Sequence, residues 1–307
     1  MQIDNTIYII GAGAIGKALA VFLKLNHKNV IIIRGSVDDG SYCFERIEVE
    51  LNDCKIVTAE IEIRTISSFS NLNGIVVFAN KSFGNPALAK ALKTKINNAP
   101  IVILQNGLNI EQPFIDNDFS QIYRCVLFAT SQQLAKNKLR FKPVASSPIG
   151  IIKGDIETLA AVVEQLDNHN FRFKVEENIQ PVIWTKTIVN CVFNSVCPLL
   201  ETDNGIFYRD EKALQIARRV IGECTGVAKA KGIVLDAEKV ENSLLLISKS
   251  SEGQFISTCQ DIKNKRKTEI ETLNFAIVNF ATELNMVDFV QETKLLGELI
   301  TIKSELI

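Results

Sequence analysis

Thr6-Ile7-Tyr8-Ile9-Ile10-Gly11-Ala12-Gly13-Ala14-Ile15-Gly16 is the stretch from which the fold can be read. An apolar, β-branched run leads straight into GxGxxG, and a helical apolar pattern, Ile15–Leu25, follows. In that setting the first glycine permits a tight turn, the second lets the backbone approach a pyrophosphate, and the third lets the helix pack closely on the strand. The phosphates then face the free N–H groups of a helix amino terminus. Gly11, Ala12, Gly13, Ala14, Ile15 and Gly16 are therefore expected to hold a dinucleotide. About 20 residues downstream, where an acidic side chain would take the ribose hydroxyls of NAD, the second strand ends in Arg34. A cation there suits the additional phosphate of NADP, although Asp38 and Asp39 follow closely. The cofactor expected is NADP, as NADPH.

Outward from this loop, short β-branched runs alternate with helical patterns through Val30–Ile33, Gly74–Ala79, Ala87–Ile96 and Ile101–Leu104, which implies a parallel sheet covered by helices. Further strands are expected at Ile122–Ala129, Leu139–Val144, Ile149–Lys153 and Phe171–Val175, with a helix at Ile156–Leu166. After about Ile179 only helical patterns remain: Pro181–Leu200, Glu211–Lys231 with Gly232 as a left-handed stop, Ala237–Ser248 and two more. The fold class expected is α/β, with an N-terminal Rossmann-like parallel-sheet domain at residues 1–178. An all-helical C-terminal domain is expected to follow at residues 179–307.

Composition narrows the partners. Lys plus Arg number 34 against 35 Asp plus Glu, so the summed field draws the chain neither to nucleic acid nor to an anionic membrane. A small molecule is the expected partner, with the protein a monomer or homodimer. Seven cysteines with no CxxC pair fit reduced thiols in a cytoplasmic protein better than disulfides or zinc. No signal segment or stretch of about 18 apolar residues is expected.

Only two histidines exist, His27 in a turn and His169 in a polar loop, and neither is placed like a catalytic base. Ketone reduction needs a proton donor beside the carbonyl, and lysine can serve. The helix from Ile183 to Val196 is apolar over most of its surface, yet carries Lys186, Asn190 and Asn194 at i, i+4 and i+8. Each step of four drifts about 40° around the axis, so the three side chains share roughly an 80° arc. A polar stripe on a buried helix must find partners, and the carboxylate and keto oxygen of a substrate would supply them. The plainer reading is the solvated face of an amphipathic helix, for which asparagine is a poor choice.

These features together resemble the ketopantoate reductase family. GAGAIG at 11–16 is similar to its cofactor loop, Asn80-Lys81 to its cofactor-contacting lysine, and Gln105-Asn106-Gly107 to its asparagine-glycine turn beside the nicotinamide. Lys186 through Asn194 resembles its Lys-x3-Asn-x3-Asn helix, and Ser257 through Asp261 with Thr268-Glu269-Ile270 resembles its Ser-x3-Asp and Thr-Glu-Ile segments. The resemblance implies that Lys186 is the general acid and that Glu269 holds or helps protonate the reacting oxygen. It also implies that Asn190, Asn194, Ser257 and Asn106 hold a small 2-keto acid, and that Lys81 and Asn106 contact NADPH. Ketopantoate is the implied substrate and pantothenate biosynthesis the implied setting. Phe128-Ala129-Thr130-Ser131, Phe141-Lys142-Pro143, Gln254 and Asn285 to Asp288 depart from the family's pattern, so the reaction type is carried further than the identity of the acid.

Ser257 and Glu269 stand twelve positions apart, roughly 18 Å in one unbroken helix and too far for both to touch a small acid. Capping boxes are possible at Ser257 with Gln260 and at Thr268 with Glu271, so two short helices with a break in the basic stretch Lys263–Lys267 are expected. Three alternatives stay open: a β-hydroxyacid-type dehydrogenase, a non-catalytic NADP-binding sensor, and a short-chain dehydrogenase built on Ser195, Tyr208 and Lys212. Against the last stands its different glycine pattern, since Ile15 and Lys17 occupy two of the required glycine positions.

Overall fold

The computed structural model describes residues 5–35 and 37–306. The chain separates into two compact units, Met1–Gln105 with Ile110–Ile179, and Asn106–Asn109 with Gln180–Ile307. The first is a mixed α/β sheet unit and the second is helical.

In the first unit the elements run β1 (Thr6–Ile10), α1 (Ala14–Leu25), β2 (Asn29–Arg34), β3 (Cys43–Glu50), β4 (Ile56–Thr65), β5 (Ile75–Phe78), α2 (Asn85–Leu92) and β6 (Ile101–Ile103). They continue with α3 (Gln112–Asp116), β7 (Ile122–Cys125), β8 (Ala129–Ala135), β9 (Lys138–Pro143), β10 (Ser147–Lys153), α4 (Ile156–Leu166) and β11 (Phe173–Val175). The strands form one sheet in the order β11-β10-β7-β6-β5-β1-β2-β4-β3-β9-β8. Its centre, β7-β6-β5-β1-β2-β4, is parallel throughout. Strands such as Ile75–Phe78 and Ile101–Ile103 are buried along their whole length, as a sheet covered on both faces requires. One apolar layer gathers α1 and α4, including Leu19, Phe22 and Leu159; the other gathers Leu88, Leu92 and Phe114 of α2 and α3.

The parallel sheet expected from the sequence forms the centre, and antiparallel pairs are added at both margins. β3 and β4 form an antiparallel ladder that no apolar run announces, and β10 runs antiparallel to β7. In β3 the inward Ile47 and Val49 alternate with Glu48 and Glu50, and in β4 Ile61 and Ile63 alternate with Glu60 and Glu62. This is the period of a sheet with one wet face, not of a buried strand. The run expected as one strand over Ile122–Ala129 also divides, since β7 ends at Cys125 while β8 begins at Ala129 and pairs with β9 at the far edge.

The second unit comprises α5 (Ile179–Leu200), α6 (Ile206–Arg209), α7 (Glu211–Ala230), α8 (Ala237–Ser250), α9 (Ser257–Lys263), α10 (Asn274–Glu283) and α11 (Gln291–Glu305). Gly232 closes α7 at φ +79°, with Ile233 N–H donating to the Ala228 carbonyl at 2.9 Å. That is the left-handed stop for which glycine has no steric penalty. α5 is long and apolar enough to cross a membrane by length and composition, but most of it is buried within the protein. Its Ile183, Trp184, Ile188 and Phe193 are core residues, and Trp184 stacks on Phe280 of α10 at 5.7 Å.

Candidate functional site

In the first unit the glycine loop is built as the motif demands. Gly11 sits at φ +116° and donates its N–H to the Ile33 carbonyl at 2.9 Å. A Cβ there would fall 2.6 Å from the Asn80 nitrogen, so no other residue fits without moving the β5 exit. A Cβ on Gly16 would strike the Gly11 carbonyl oxygen, which is the close helix–strand contact expected of the third glycine. Gly13 is different: nothing lies within 4 Å of its would-be Cβ. It precedes α1 as an N-cap without a side-chain hydrogen bond, so the first N–H groups of the helix have no side-chain cap and face a space that a side chain would fill. Ala12, Ala14 and Ile15 are partly buried and pack on the core below.

Asn80 and Lys81 follow β5 directly. Asn80 donates from Nδ2 to the Lys81 carbonyl at 2.9 Å, while its Oδ1 is buried without a hydrogen-bond partner. A buried acceptor left over beside Gly11 fits a ligand that brings a hydrogen-bond donor. Arg34 ends β2 with its side chain about 30% exposed, one guanidinium nitrogen near Asp39 Oδ1 at 3.5 Å and hydrogen-bonded to Ser41 Oγ. Its Nε is buried and unpartnered. Asp38 is engaged elsewhere, accepting the Ser67 N–H at 2.8 Å, and hydrogen bonds from Ser67 hold its carboxyl below the usual range. Bonds from Ser41 do the same for Asp39.

In the second unit α5 carries the polar stripe. Lys186 and Asn190 are half-buried and Asn194 is buried. Over these eight residues the helix rises about 12 Å, so Lys186 and Asn190, about 6 Å apart along the axis, can serve one small molecule. Asn194 lies deeper. Its Nδ2 donates to the Asn190 carbonyl at 3.0 Å, and its Oδ1 accepts from Thr258 Oγ1 at 2.7 Å and from Ser257 Oγ at 3.4 Å. The structure thus brings Ser257 to the stripe. It also adds a residue that the sequence reading missed, the buried Thr258, whose only sequence signal was a second hydroxyl beside Ser257.

The break expected between Ser257 and Glu269 is present. α9 ends at Lys263, Lys265 takes φ +52°, and Arg266 N–H donates to the Asp261 carbonyl at 2.8 Å while its guanidinium pairs with the Asp261 carboxylate at 3.0 Å. The capping boxes are not what makes it. Ile256, not Ser257, is the N-cap of α9, which frees the Ser257 hydroxyl to face Asn194, and Thr268 is buried ahead of a 3-10 turn at Ile270–Thr272. Glu269 is the half-buried residue before that turn. Its carbonyl accepts the Thr272 N–H at 3.0 Å, and the Thr272 carbonyl in turn accepts the Leu108 N–H at 2.8 Å. Gly107, at φ +107°, lies so close that a Cβ would meet Thr272 Oγ1 at 2.6 Å. Asn106 and Glu269 are therefore carried by two segments that dock on each other, through residues 164 positions apart in sequence (Leu108 and Thr272) and invisible to local patterns.

The flanks of the Asn106 loop are fixed within the first unit. Gln105 and Asn85, both buried, exchange amide hydrogen bonds at 2.7 and 2.8 Å, and Asn85 also donates to the Ile110 carbonyl at 2.9 Å. Past the loop, Glu111 accepts from the buried Arg124 at 2.6 Å.

Other candidates are displaced. Ser195 Oγ donates to the Cys191 carbonyl of its own helix at 2.6 Å and is fully buried, and Tyr208 is exposed on α6, so they build no catalytic set. His27 and His169 are exposed. Among the described residues no group of three or more His, Cys, Asp or Glu could hold a metal ion.

Comparison with known proteins agrees with this layout. The family model described as Ketopantoate reductase PanE/ApbA matches residues 7–152, and that described as Ketopantoate reductase PanE/ApbA C terminal matches residues 178–293. A 2-dehydropantoate 2-reductase of Pyrococcus abyssi is 25% identical over 281 residues, covering 91% of this chain and 92% of the relative. One from Streptococcus pyogenes serotype M1 is 24% identical over 277 residues, covering 88% and 89%. Among solved structures, D-mandelate dehydrogenase with NADH and anilino(oxo)acetate superposes at a TM-score of 0.83 with 22% identity over 98% of each chain. A dimeric ketopantoate reductase from Staphylococcus aureus gives 0.80 with 17% identity over 98% of this chain and 99% of that one. At these identities the structural likenesses speak for the fold alone.

Proposed function

Because the chain belongs to the ketopantoate reductase PanE/ApbA family of NAD(P)-dependent 2-keto acid reductases, we propose that it reduces ketopantoate to pantoate with NADPH, in the cytoplasm, as a step of pantothenate and coenzyme A biosynthesis. The observation that carries this reading is the stripe of Lys186, Asn190 and Asn194 with Ser257 docked upon it.

The residues of the first unit fit a dinucleotide: an open Gly13, an α1 amino terminus without a side-chain cap, and an orphaned Asn80 Oδ1. Gly11 to Gly16 would take the pyrophosphate, Lys81 and Asn106 would contact the cofactor, and Arg34 would take the 2′-phosphate. When bound, the nicotinamide supplies hydride to the carbonyl carbon. Lys186 donates the proton to the carbonyl oxygen, and Glu269 holds the reacting oxygen or helps to protonate it. Asn190 and Ser257 hydrogen-bond the acid. Asn194 fixes Ser257 through its Oδ1 and keeps one amide N–H beyond its bond to Asn190. An ammonium and two neutral donors grouped on a mostly buried helix suit a small anion whose negative charge grows on one oxygen during reaction.

Following NADPH absorbance with a panel of 2-keto acids tests the assignment. Ketopantoate is expected to give the highest kcat/KM. Faster turnover of another acid, such as phenylglyoxylate, would reassign the substrate within the family, and cofactor binding without turnover of any acid would sink the catalytic reading. Replacing Arg34 tests cofactor choice separately. Losing one charge-assisted phosphate contact is worth about 1.5–3 kcal/mol, so Arg34→Ala is expected to raise KM for NADPH by roughly 10- to 100-fold and leave that for NADH nearly unchanged. Equal changes for both would remove Arg34 from the phosphate site.

A further inference from the structure

Asn106–Asn109 is grouped with the second unit, while the residues on either side of it, Gln105 and Ile110, belong to the first. One side chain holds both of those flanking residues. Asn85, the first residue of α2 and 1% exposed, donates from Nδ2 to Gln105 Oε1 at 2.7 Å and to the Ile110 carbonyl at 2.9 Å. Its Oδ1 accepts from Gln105 Nε2 at 2.8 Å. Both amide hydrogens and one oxygen lone pair are thus engaged across the neck of a single loop. Beyond the neck the loop has little freedom. Gly107 and Asn109 take φ of +107° and +58°, and Leu108 N–H is bonded to the Thr272 carbonyl at 2.8 Å.

The chemistry of this clasp favours precision over stability. β6 ends at Ile103, and Leu104 N–H still bonds to the Phe78 carbonyl at 3.0 Å, so the sheet itself fixes the chain that far. An apolar pair of similar shape in place of two buried amides would be nearly neutral for stability. Three directed hydrogen bonds do what apolar packing does not, because their distances and angles allow one placement of Gln105 and Ile110. The residue placed is Asn106, which follows Gln105 directly. Asn85 in turn lies four residues after Lys81. One side chain therefore sets the spacing between the two chain exits, after β5 and after β6, that carry Lys81 and Asn106.

We infer that Asn85 is a positioning residue for the reduction: by closing the neck of the Asn106 loop it sets where Asn106 presents its amide. The inference rests on the proposed contact of Asn106 with cofactor and acid.

Steady-state kinetics of four variants test it, with circular dichroism and thermal unfolding to measure the folded fraction. A misplacement of about 1 Å far from the chemistry can cost on the order of a hundredfold in rate, so Asn85→Leu is expected to lower kcat/KM for ketopantoate by about 10- to 100-fold per folded molecule. Asn85→Leu with Gln105→Leu is expected to regain part of the lost thermal stability but not the rate, since the Ile110 carbonyl still lacks its donor. Asn85→Asp adds a readout that a purely structural role would not move. Its carboxylate sets an acceptor against the Ile110 carbonyl, whereas the protonated acid donates to it. Turnover of Asn85→Asp relative to the parent is therefore expected to rise as pH falls. Activity that drops only in proportion to the folded fraction, or an Asn85→Asp variant with the parent's pH profile, overturns the inference. Asn106→Ala separates the two claims. Full turnover of Asn106→Ala would remove Asn106 from the site, whereas an impaired Asn106→Ala beside an unimpaired Asn85→Leu overturns the role of Asn85 alone.

Discussion

Lys186→Ala is expected to lower kcat by about 10²- to 10⁴-fold, the range over which a positioned general acid acts, while the affinity for NADPH stays close to that of the parent. The two effects separate because the groups proposed to hold the cofactor phosphates, the Gly11–Gly16 loop and Arg34, belong to a different unit of the chain from Lys186. Lys186→Arg sharpens the test. Guanidinium keeps the charge and can bind an anion, but it does not give up its proton in a protein. It is expected to preserve substrate binding better than alanine does and to restore little of the rate. Cofactor titration by fluorescence alongside steady-state kinetics reads both quantities. A parallel loss of NADPH affinity and turnover would mean that Lys186 supports the cofactor or the fold instead of the proton transfer.

Glu111→Ala is expected to cost about 3–5 kcal/mol of stability, because it takes the paired carboxylate away from a guanidinium held in the interior. Arg124 is 2% exposed and its partner carboxylate 15%, so water can compensate little. Their attraction across 2.6 Å helps to offset the desolvation of both charges, and deleting one partner removes that share of the offset but not the cost. Taking both charges out together, as Glu111→Leu with Arg124→Met, is expected to cost less than Glu111→Ala alone. The midpoint of urea unfolding, followed by a probe in the sheet unit, measures this. An unchanged midpoint for Glu111→Ala would show that the pair contributes nothing. The position also bears on the proposed site, since Glu111 lies just past the loop that carries Asn106, whose other flank is clamped by Asn85 and Gln105.

What could be read from the residues was what depends on local geometry. The glycine loop was legible because a left-handed Gly11 and a contact-limited Gly16 leave no alternative residue. The stripe on α5 was legible because helical spacing alone places Lys186, Asn190 and Asn194 on one face. The interruption after Lys263 followed from reach, although its chemistry did not. The left-handed Lys265 and the doubled bond between Asp261 and Arg266 replaced the expected serine and threonine caps. Contacts distant in sequence stayed hidden. Nothing in Gly107 or Thr272 by itself announces that the Asn106 loop rests on the turn after Glu269, and nothing in Thr258 announces Asn194. β3 and β4 were missed for a different reason. Their apolar residues occupy every second position among glutamates, so they form no continuous hydrophobic run.

The central claim is that the amine of Lys186 delivers a proton to the oxygen of a 2-keto acid. A crystal structure of the protein with NADP⁺ and the product 2-hydroxy acid tests it most directly. The account predicts Lys186 Nζ within about 2.6–3.2 Å of the product hydroxyl oxygen, with Asn190 and Ser257 on the same molecule. A product bound with that amine turned away into solvent would contradict it.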